Sequence, residues 1–420
     1  MKVLFVHNYY RTSAPSGEDL IFDRELALLR RQPGWDILLH SRRNDELANV
    51  GWRGLVKVAL RTPWNQFELE EVRNLIRRYR PDVMHVHSLF PQISPAIMYA
   101  AAGTATATVR TLHNYRMVCA NGLLLREGEP CMKCLDSKST MPALLHRCYR
   151  DSLKATLPTA ASISLHHVLG TWTRCVDAFI TFTPFQRDLM VRAGIPESRI
   201  YIKPNWMATP ESPVPWAQHE NRAVFVGRLT QEKGVDVLIE AWKRLGPNGP
   251  RLEIIGYGAE FTRIKHEVEC SRLPIVMAGY LSHAQALSRI RTASLVIVPS
   301  VCFEGFGLVV LEAMAMGVPV LASDLGSLPT IVRHGWDGEV FPPGVAAALA
   351  AAVQRLFSDS QRLREMGRNA RENFEANYTE AAHLRALSEI YEAAVAHRRD
   401  ASCALPRRRA LAKDALEAQH

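Results

Sequence analysis

Short runs rich in β-branched residues alternate with stretches of helical period along almost the whole chain, and this alternation constrains the fold more than any other feature. Lys2 to His7, Asp36 to Ser41, Asp82 to His87, Thr106 to Leu112, Ala178 to Thr183 and Arg199 to Lys203 read as strands, and Phe22, Leu26 and Leu29 recur at helical spacing between the first two. Repeated strand-helix-strand units bury their apolar faces only as a mostly parallel sheet covered on both sides. The rhythm breaks at Pro204 to Asn221, where four prolines (204, 210, 213 and 215) fall among few apolar residues. It then restarts with strands at Ala223 to Val226, Leu252 to Ile255, Ile275 to Ala278, Leu295 to Val298, Val318 to Ala322 and Glu339 to Phe341, and helices between them. The expectation is an α/β chain of two Rossmann-like, doubly wound domains, residues 1–205 and 206–385, facing across a cleft. A length of 420 residues agrees with two cores rather than one. Residues 386–420 read as a helix and a basic tail, frayed from Pro406 to Lys413.

Charge is unevenly divided: residues 1–205 hold 27 Lys+Arg against 18 Asp+Glu, and the rest hold 24 of each. The whole excess of nine positive charges therefore lies in the amino half, at Arg30-Arg31, Arg42-Arg43, Arg53 to Arg61 and Arg73 to Arg80. Such a surface attracts anionic lipid or polyphosphate, with solvated helix faces as the plain alternative. No nucleic-acid-binding module accompanies it, so nucleic acid is set aside. The apolar run after Met1 stops at His7 and Asn8, too short for an export signal. The most apolar region, Gly305 to Leu325, is interrupted by Glu312 and Asp324, so no transmembrane helix is expected. Eight cysteines are too few for a disulfide scaffold and are expected to stay reduced. A cytoplasmic location follows, with docking on the inner face of the membrane.

The most specific chemistry lies at Glu304-Gly305-Phe306-Gly307-Leu308-Val309-Val310-Leu311-Glu312, directly after a buried strand. Two glycines let a ligand approach the backbone, and a helix starting near Gly307 offers free amides and a positive dipole end to an anion. Glu304 can then reach a sugar, and Glu312, about one turn into the helix, can accept hydrogen bonds from a ribose diol. A capped helix with an incidental glutamate is the alternative. A second cluster, Gly227-Arg228-Leu229-Thr230-Gln231-Glu232-Lys233-Gly234, follows the first strand of the same domain. Arg228 can grip phosphate oxygens bidentately, and Lys233 can neutralise them as a point charge.

This combination resembles the family 4 glycosyltransferases, retaining enzymes of GT-B architecture, and the resemblance covers nearly the whole chain. The matching residues are Gly227 to Leu229, Glu232 to Gly234, and Glu304 with Glu312. The resemblance implies that Arg228 and Lys233 hold a donor diphosphate, that Glu312 holds the ribose, and that the amides of Gly305, Phe306 and Gly307 cradle the diphosphate and sugar. It implies that Glu304 addresses the transferred hexose. Asn205, in Lys203-Pro204-Asn205, and Gly256-Tyr257, at a strand end near the nucleotide base, are weaker matches. In Ser323 to Ile331 the family pattern has a glycine and a glutamate where this chain has Ser327 and Thr330.

In the amino half, Ser13 to Glu18 reads as a loop in which Gly17 brings backbone amides to the cleft, with a simple turn before a helix as the alternative. His113, in Leu112-His113-Asn114, matches the histidine that the family directs at the hexose. His85 and His87 alternate on one strand and so face one side. His85 reads as core, and His87 as a candidate for the cleft wall.

The implied activity is a retaining hexosyltransferase acting from a nucleotide-diphospho-sugar on a glycan or lipid-linked acceptor, with catalysis resting on Glu304, His113, Lys233 and Arg228. No cofactor is required for that chemistry. Front-face attack and a covalent intermediate on Glu304 both remain open, as do a GT-B phosphorylase or epimerase and a silent partner in polysaccharide assembly. Cys119, Cys131, Cys134 and Cys148 fall within thirty residues, and Cys131-Met-Lys-Cys134 has the knuckle spacing of a structural zinc site. Tetrahedral zinc is set against free thiols or a redox pair. Residues Ser152 to Trp172 are apolar and read as buried helices bent at Pro158, with a membrane-facing surface as the alternative.

Overall fold

The structure is a computed structural model. It describes every residue except 13–15, 49, 209–211 and 418–420, and no side chain from 401 onward. The twelve expected strands are present, each within three residues of its predicted ends. In the amino-terminal domain they are β1 (Lys2–Tyr9), β2 (Asp36–Arg43), β3 (Val83–Val86), β4 (Ala107–Thr111), β7 (Ala178–Thr181) and β8 (Ile200–Ile202). The small strands β5 (Leu125–Arg126) and β6 (Glu129–Pro130) pair with each other as a separate ribbon. The carboxyl-terminal domain holds β9 (Glu220–Val226), β10 (Arg251–Ile255), β11 (Ile275–Gly279), β12 (Ala293–Val298), β13 (Val320–Ser323) and β14 (Gly338–Phe341).

Both six-stranded sheets are parallel, in the orders β2-β1-β3-β4-β7-β8 and β11-β10-β9-β12-β13-β14. Helices cover both faces, so β3, β4 and β12 are buried along their whole length and read as continuous rather than alternating apolar runs. The order in which strands are laid down reverses between β1 and β3 in the first sheet and between β9 and β12 in the second. Loops leaving the carboxyl ends of strands at such a point splay apart and leave a crevice. Gly227 to Gly234 follows β9 and Glu304 to Gly307 follows β12, both on those loops.

The carboxyl-terminal stretch departs from expectation. Helix Glu380–Glu417 returns to the amino-terminal domain, where Leu387, Ile390, Tyr391 and Ala394 join Val3, Phe5, Phe22 and Val109 in one core. The backbone is helical through Pro406 to Lys413 in place of a frayed tail. The four apolar positions spaced 3, 1 and 3 apart supply the face that docks.

Helix Leu153–Val168 carries Pro158 inside it, as read, but Leu153, Leu157 and Val168 stand exposed instead of packing inward. The neighbouring helix Trp52–Arg61 buries no residue at all.

Candidate functional site

Loops from both switch points enclose about 1850 Å³ of free space, open solvent included, between the two domains. Gly17, His113, Asn205, Arg228, Lys233 and Gly305 all line it. The cleft therefore gathers the expected donor residues of both halves.

On the carboxyl side, Lys233 lies in the 3₁₀ turn Gln231–Lys233 after β9, and Glu304 lies in the loop after β12. Lys233 Nζ donates to Glu304 Oε1 at 2.6 Å, and Ser300 Oγ donates to the same oxygen at 2.6 Å. Burial alone would push the Glu304 carboxyl up, but the ammonium and the hydroxyl outweigh it and hold the group below its usual range. Burial likewise acts to lower Lys233, and the Glu304 carboxylate reverses the sign. The pair is thus fully ionised. Arg228 is the solvent-facing cation of the site, 69% exposed and 3.8 Å from Glu232.

Glycines make the close approaches possible. A Cβ on Gly234, at φ +68°, would sit 1.8 Å from the Pro299 carbonyl oxygen, so only glycine lets the β9 turn rest against the β12 loop. Gly307 is left-handed, at φ +83°, immediately before helix Leu308–Ala315. Across the cleft, Gly17 opens helix Gly17–Arg30, whose Ser16 cap accepts from the Glu18 amide. A Cβ on Gly17 would lie 3.2 Å from Leu308 Cδ1. Two helix amino ends thus face one space from opposite domains, a favourable field for an anion.

His113 lies beyond β4, its Nε2 2.9 Å from His87 Nδ1 and its ring 5.3 Å from Phe182. Burial, with the His87 and His7 rings nearby, holds it well below the usual imidazole range, so it is neutral at pH 7. It can orient a hydroxyl but carries no charge to offer. His85 is core, bonded to Tyr391 and Thr111. His87 does not line the donor cleft; it borders a neighbouring cavity.

Other residues of the expected donor set are placed differently. Glu312 has its Oε1 2.8 Å from His283 Nε2 and does not border the cleft. Gly256 and Tyr257 lie outside it as well. Gly256, at φ +143°, is glycine because a Cβ would meet the Gly227 carbonyl oxygen at 1.8 Å, and Tyr257 packs on Phe261 with 60% of its surface exposed. Phe306 lines the cleft only through its loop, since its ring is buried between Phe182 and Tyr378.

Several contributors lacked a local signal. Tyr115 OH donates to the Glu304 carbonyl oxygen at 3.2 Å from the opposite domain. Ser327, at the position where the family pattern has glycine, shares a 2.8 Å hydrogen bond with Thr183 across the interface and donates to the Gly305 carbonyl oxygen at 3.3 Å. Thr330 donates to the Ser327 carbonyl oxygen at 2.7 Å, which fixes that turn.

Cys119, Cys131, Cys134 and Cys148 do border one small cavity, with His146 beside them. Burial, and after it the neighbouring thiols, push Cys148 up, and burial likewise heads the causes that put Cys134 at about 11. Among the described residues, the groups whose ligand atoms lie within 4.8 Å of one another are Glu25/His85/His87 and His40/Glu68/Glu71, not these cysteines. The thiols are gathered about that one cavity, and the Lys203 ammonium already occupies Glu25 at 3.1 Å.

Two parallel-sheet domains with a nucleotide-type crevice between them define the GT-B class. The Glycosyl transferases group 1 pattern matches residues 211–373, and the Glycosyl transferase 4-like domain pattern matches residues 24–206. The chain belongs to this glycosyltransferase family. Among curated proteins it is 31% identical over 249 residues to an exopolysaccharide phosphotransferase of Streptomyces coelicolor, covering 57% of this chain and 25% of that one. It is 32% identical over 187 residues to glycogen synthase of Mycobacterium tuberculosis, covering 44% and 45%. The matched stretch thus spans a quarter to about half the length of these relatives. Among solved structures, sucrose-phosphate synthase of Thermosynechococcus elongatus superposes with a TM-score of 0.68 at 20% identity over 93% of this chain and 98% of that one. HepE of Anabaena in complex with UDP gives 0.64 at 16% identity over 93% and 99%. These likenesses concern the fold. Among the described residues no helix is long and apolar enough to cross a membrane.

Proposed function

We propose that the protein is a retaining glycosyltransferase that moves a hexose from a nucleotide-diphospho-sugar to a glycan or lipid-linked acceptor. The observation that carries this reading is the ionised Lys233–Glu304 pair, set at the carboxyl-domain switch point between two opposed helix amino ends. HepE, a structural neighbour, has been solved with UDP-glucose, which supports a nucleotide-sugar in the corresponding crevice here.

In the proposed step, the C1–O bond to the donor diphosphate breaks, and an acceptor oxygen bonds C1 on the same face. The acceptor proton passes to the departing phosphate oxygen. Arg228 and Lys233 stabilise the negative charge growing on that diphosphate, and Glu304 stabilises the positive charge developing at C1. Neutral His113 and the amides of Gly305 to Gly307 orient the sugar. Incubation with UDP-, GDP- and ADP-sugars, read as released nucleotide and as product anomeric configuration by NMR, tests the reading. One donor is expected to turn over with its anomeric configuration kept; an inverted product, or no turnover with any donor, refutes it.

A specific surface favours docking on an anionic bilayer. On helix Trp52–Arg61, Trp52, Leu55, Val56 and Leu60 are 50–75% exposed and form one stripe, with Arg53, Lys57 and Arg61 spaced four apart beside it. Leu153 and Leu157 of helix Leu153–Val168 are exposed as well, and the two helices touch. Apolar residues inserted at headgroup depth beside basic ones bind anionic lipid. Vesicles of phosphatidylglycerol should sediment the protein while phosphatidylcholine vesicles do not. Trp52→Glu combined with Leu60→Glu should release it, and equal sedimentation of variant and wild type would remove the membrane reading.

A further inference from the structure

A second cavity, of about 700 Å³ with open solvent included, lies within the amino-terminal domain and shares Tyr10, His113, Asn114 and Arg116 with the donor cleft. The loop after β3, the end of β4 and the helix Leu153–Val168 enclose it. No Asp or Glu is among the described residues lining it.

Arg110, the fourth residue of β4, borders this cavity and is 9% exposed. One Nη donates to the His87 carbonyl oxygen at 3.3 Å, the guanidinium lies 5.1 Å from the Trp172 ring centroid, and Nε has no partner. Among the described residues no carboxylate stands within ion-pair distance of it. Arg222, buried to a similar degree in the other domain, shows what a structural arginine looks like here: Glu253 at 2.6 Å and Glu220 at 3.0 Å neutralise it. An unpaired buried charge is destabilising until something supplies a counter-charge. Burial lowers the Arg110 guanidinium to about 10, opposed in part by the Glu18 carboxylate beyond ion-pair distance, and it stays charged at neutral pH. At the mouth, Arg116 lies over Phe90 at 4.2 Å and is held by the Ala120 and Asn121 carbonyl oxygens.

We propose that Arg110, with Arg116 at the entrance, is the anion subsite of the acceptor half and takes the phosphate or diphosphate group of an anionic acceptor. The unpaired Nε edge presents the side-on fork that guanidinium uses for phosphate oxygens. Leu89, Ile93, Met117 and Ile163 give the same cavity an apolar wall, and Thr62, at the end of the Trp52 helix, lies on its rim. The purpose of the site rests on the transferase reading above; its existence does not.

The test uses the full chain carrying Arg228→Ala and Lys233→Ala, so that the donor cations are silent, with inorganic pyrophosphate, farnesyl diphosphate and farnesol as probes. Both anions are expected to bind and to raise the thermal midpoint. Adding Arg110→Met is expected to weaken both at least tenfold, with a thermal midpoint no lower in the absence of ligand, because an apolar side chain of similar length removes a buried charge that has no ion-pair partner. Farnesyl diphosphate binding tenfold tighter than pyrophosphate identifies a lipid-borne phosphate, and equal binding a phosphate on a soluble acceptor. The inference is overturned if neither anion binds the Arg228/Lys233 variant, an outcome that does not depend on Arg110→Met folding. It is also overturned if Arg110→Met leaves affinity unchanged, or if farnesol binds as well as farnesyl diphosphate. Failure of the donor reading looks different: UDP affinity would then be the same with and without Arg228 and Lys233.

Discussion

Glu304→Ala is expected to slow sugar transfer by about a hundred- to a thousandfold while tightening, not weakening, the binding of free nucleoside diphosphate. The first effect follows from removing a preorganised charge aimed at the reacting centre, for which losses of that order are usual. The second follows from the observed pair. Lys233 is committed to Glu304 at 2.6 Å, so a diphosphate must compete with the carboxylate for the ammonium, and deleting the carboxylate frees it. Lys233→Ala should slow transfer to a similar degree and weaken nucleoside diphosphate binding. Titration calorimetry with the nucleotide, alongside turnover, separates the two roles. Equal loss of nucleotide affinity in both variants would mean that the pair acts only as a structural bridge. A modest loss of stability is expected for either change, because the Lys233 side chain is 23% exposed and the partner left behind can be hydrated from the cleft.

The residues named in that experiment were legible in the sequence because parallel sheets place function at strand ends whatever the chemistry. Arg228, Lys233 and Glu304 each follow a run of apolar residues that could only be a buried strand. Gly256 shows the limit. A glycine at a strand end serves either a ligand or a neighbouring backbone, and the Gly227 carbonyl oxygen that decides the matter is 29 residues away. Glu312 is similar: its place about one turn into the helix was readable, but its neighbour His283 lies on another element. Tyr115 and Ser327 act across the domain interface through single hydrogen bonds, and neither leaves a trace in its own neighbourhood. Arg110 was invisible because its identity as a β4 residue says nothing about whether a carboxylate stands opposite.

The largest stability effect is expected at Glu25, which no local pattern marks. This carboxylate, 1% exposed on the first helix, lies 3.1 Å from Lys203 Nζ, 3.1 Å from His383 Nε2 and 3.4 Å from His87 Nε2. It thereby ties together the first helix, the strand end that leads into the interdomain linker, the terminal helix and β3. Burial acts to raise Glu25, but Lys203 and the two imidazoles outweigh it and hold the carboxyl well below its usual range. Glu25→Ala leaves the Lys203 ammonium buried without a counter-charge and should cost about 3–5 kcal/mol in urea unfolding. Combining it with Lys203→Met should recover most of that loss, since two apolar groups can replace a buried pair nearly without cost; a double variant as unstable as the single one would show that cavity formation dominates instead. The same network fixes the acid response. Burial lowers His87 and His383 to about 4, so above the ordinary imidazole value of 6.5 their contribution is complete, and it is lost as pH falls from there toward 4 while the unfolded chain takes up protons. Glu25, also depressed, begins to add its own loss only below the ordinary carboxyl value of 4.5. Unfolding free energy should therefore decline steadily as pH falls below 6.5. A Glu25→Ala chain should meet acid from an already lowered baseline, with a slope below pH 6.5 at least as steep, because the histidines have lost the carboxylate that partly opposed their depression.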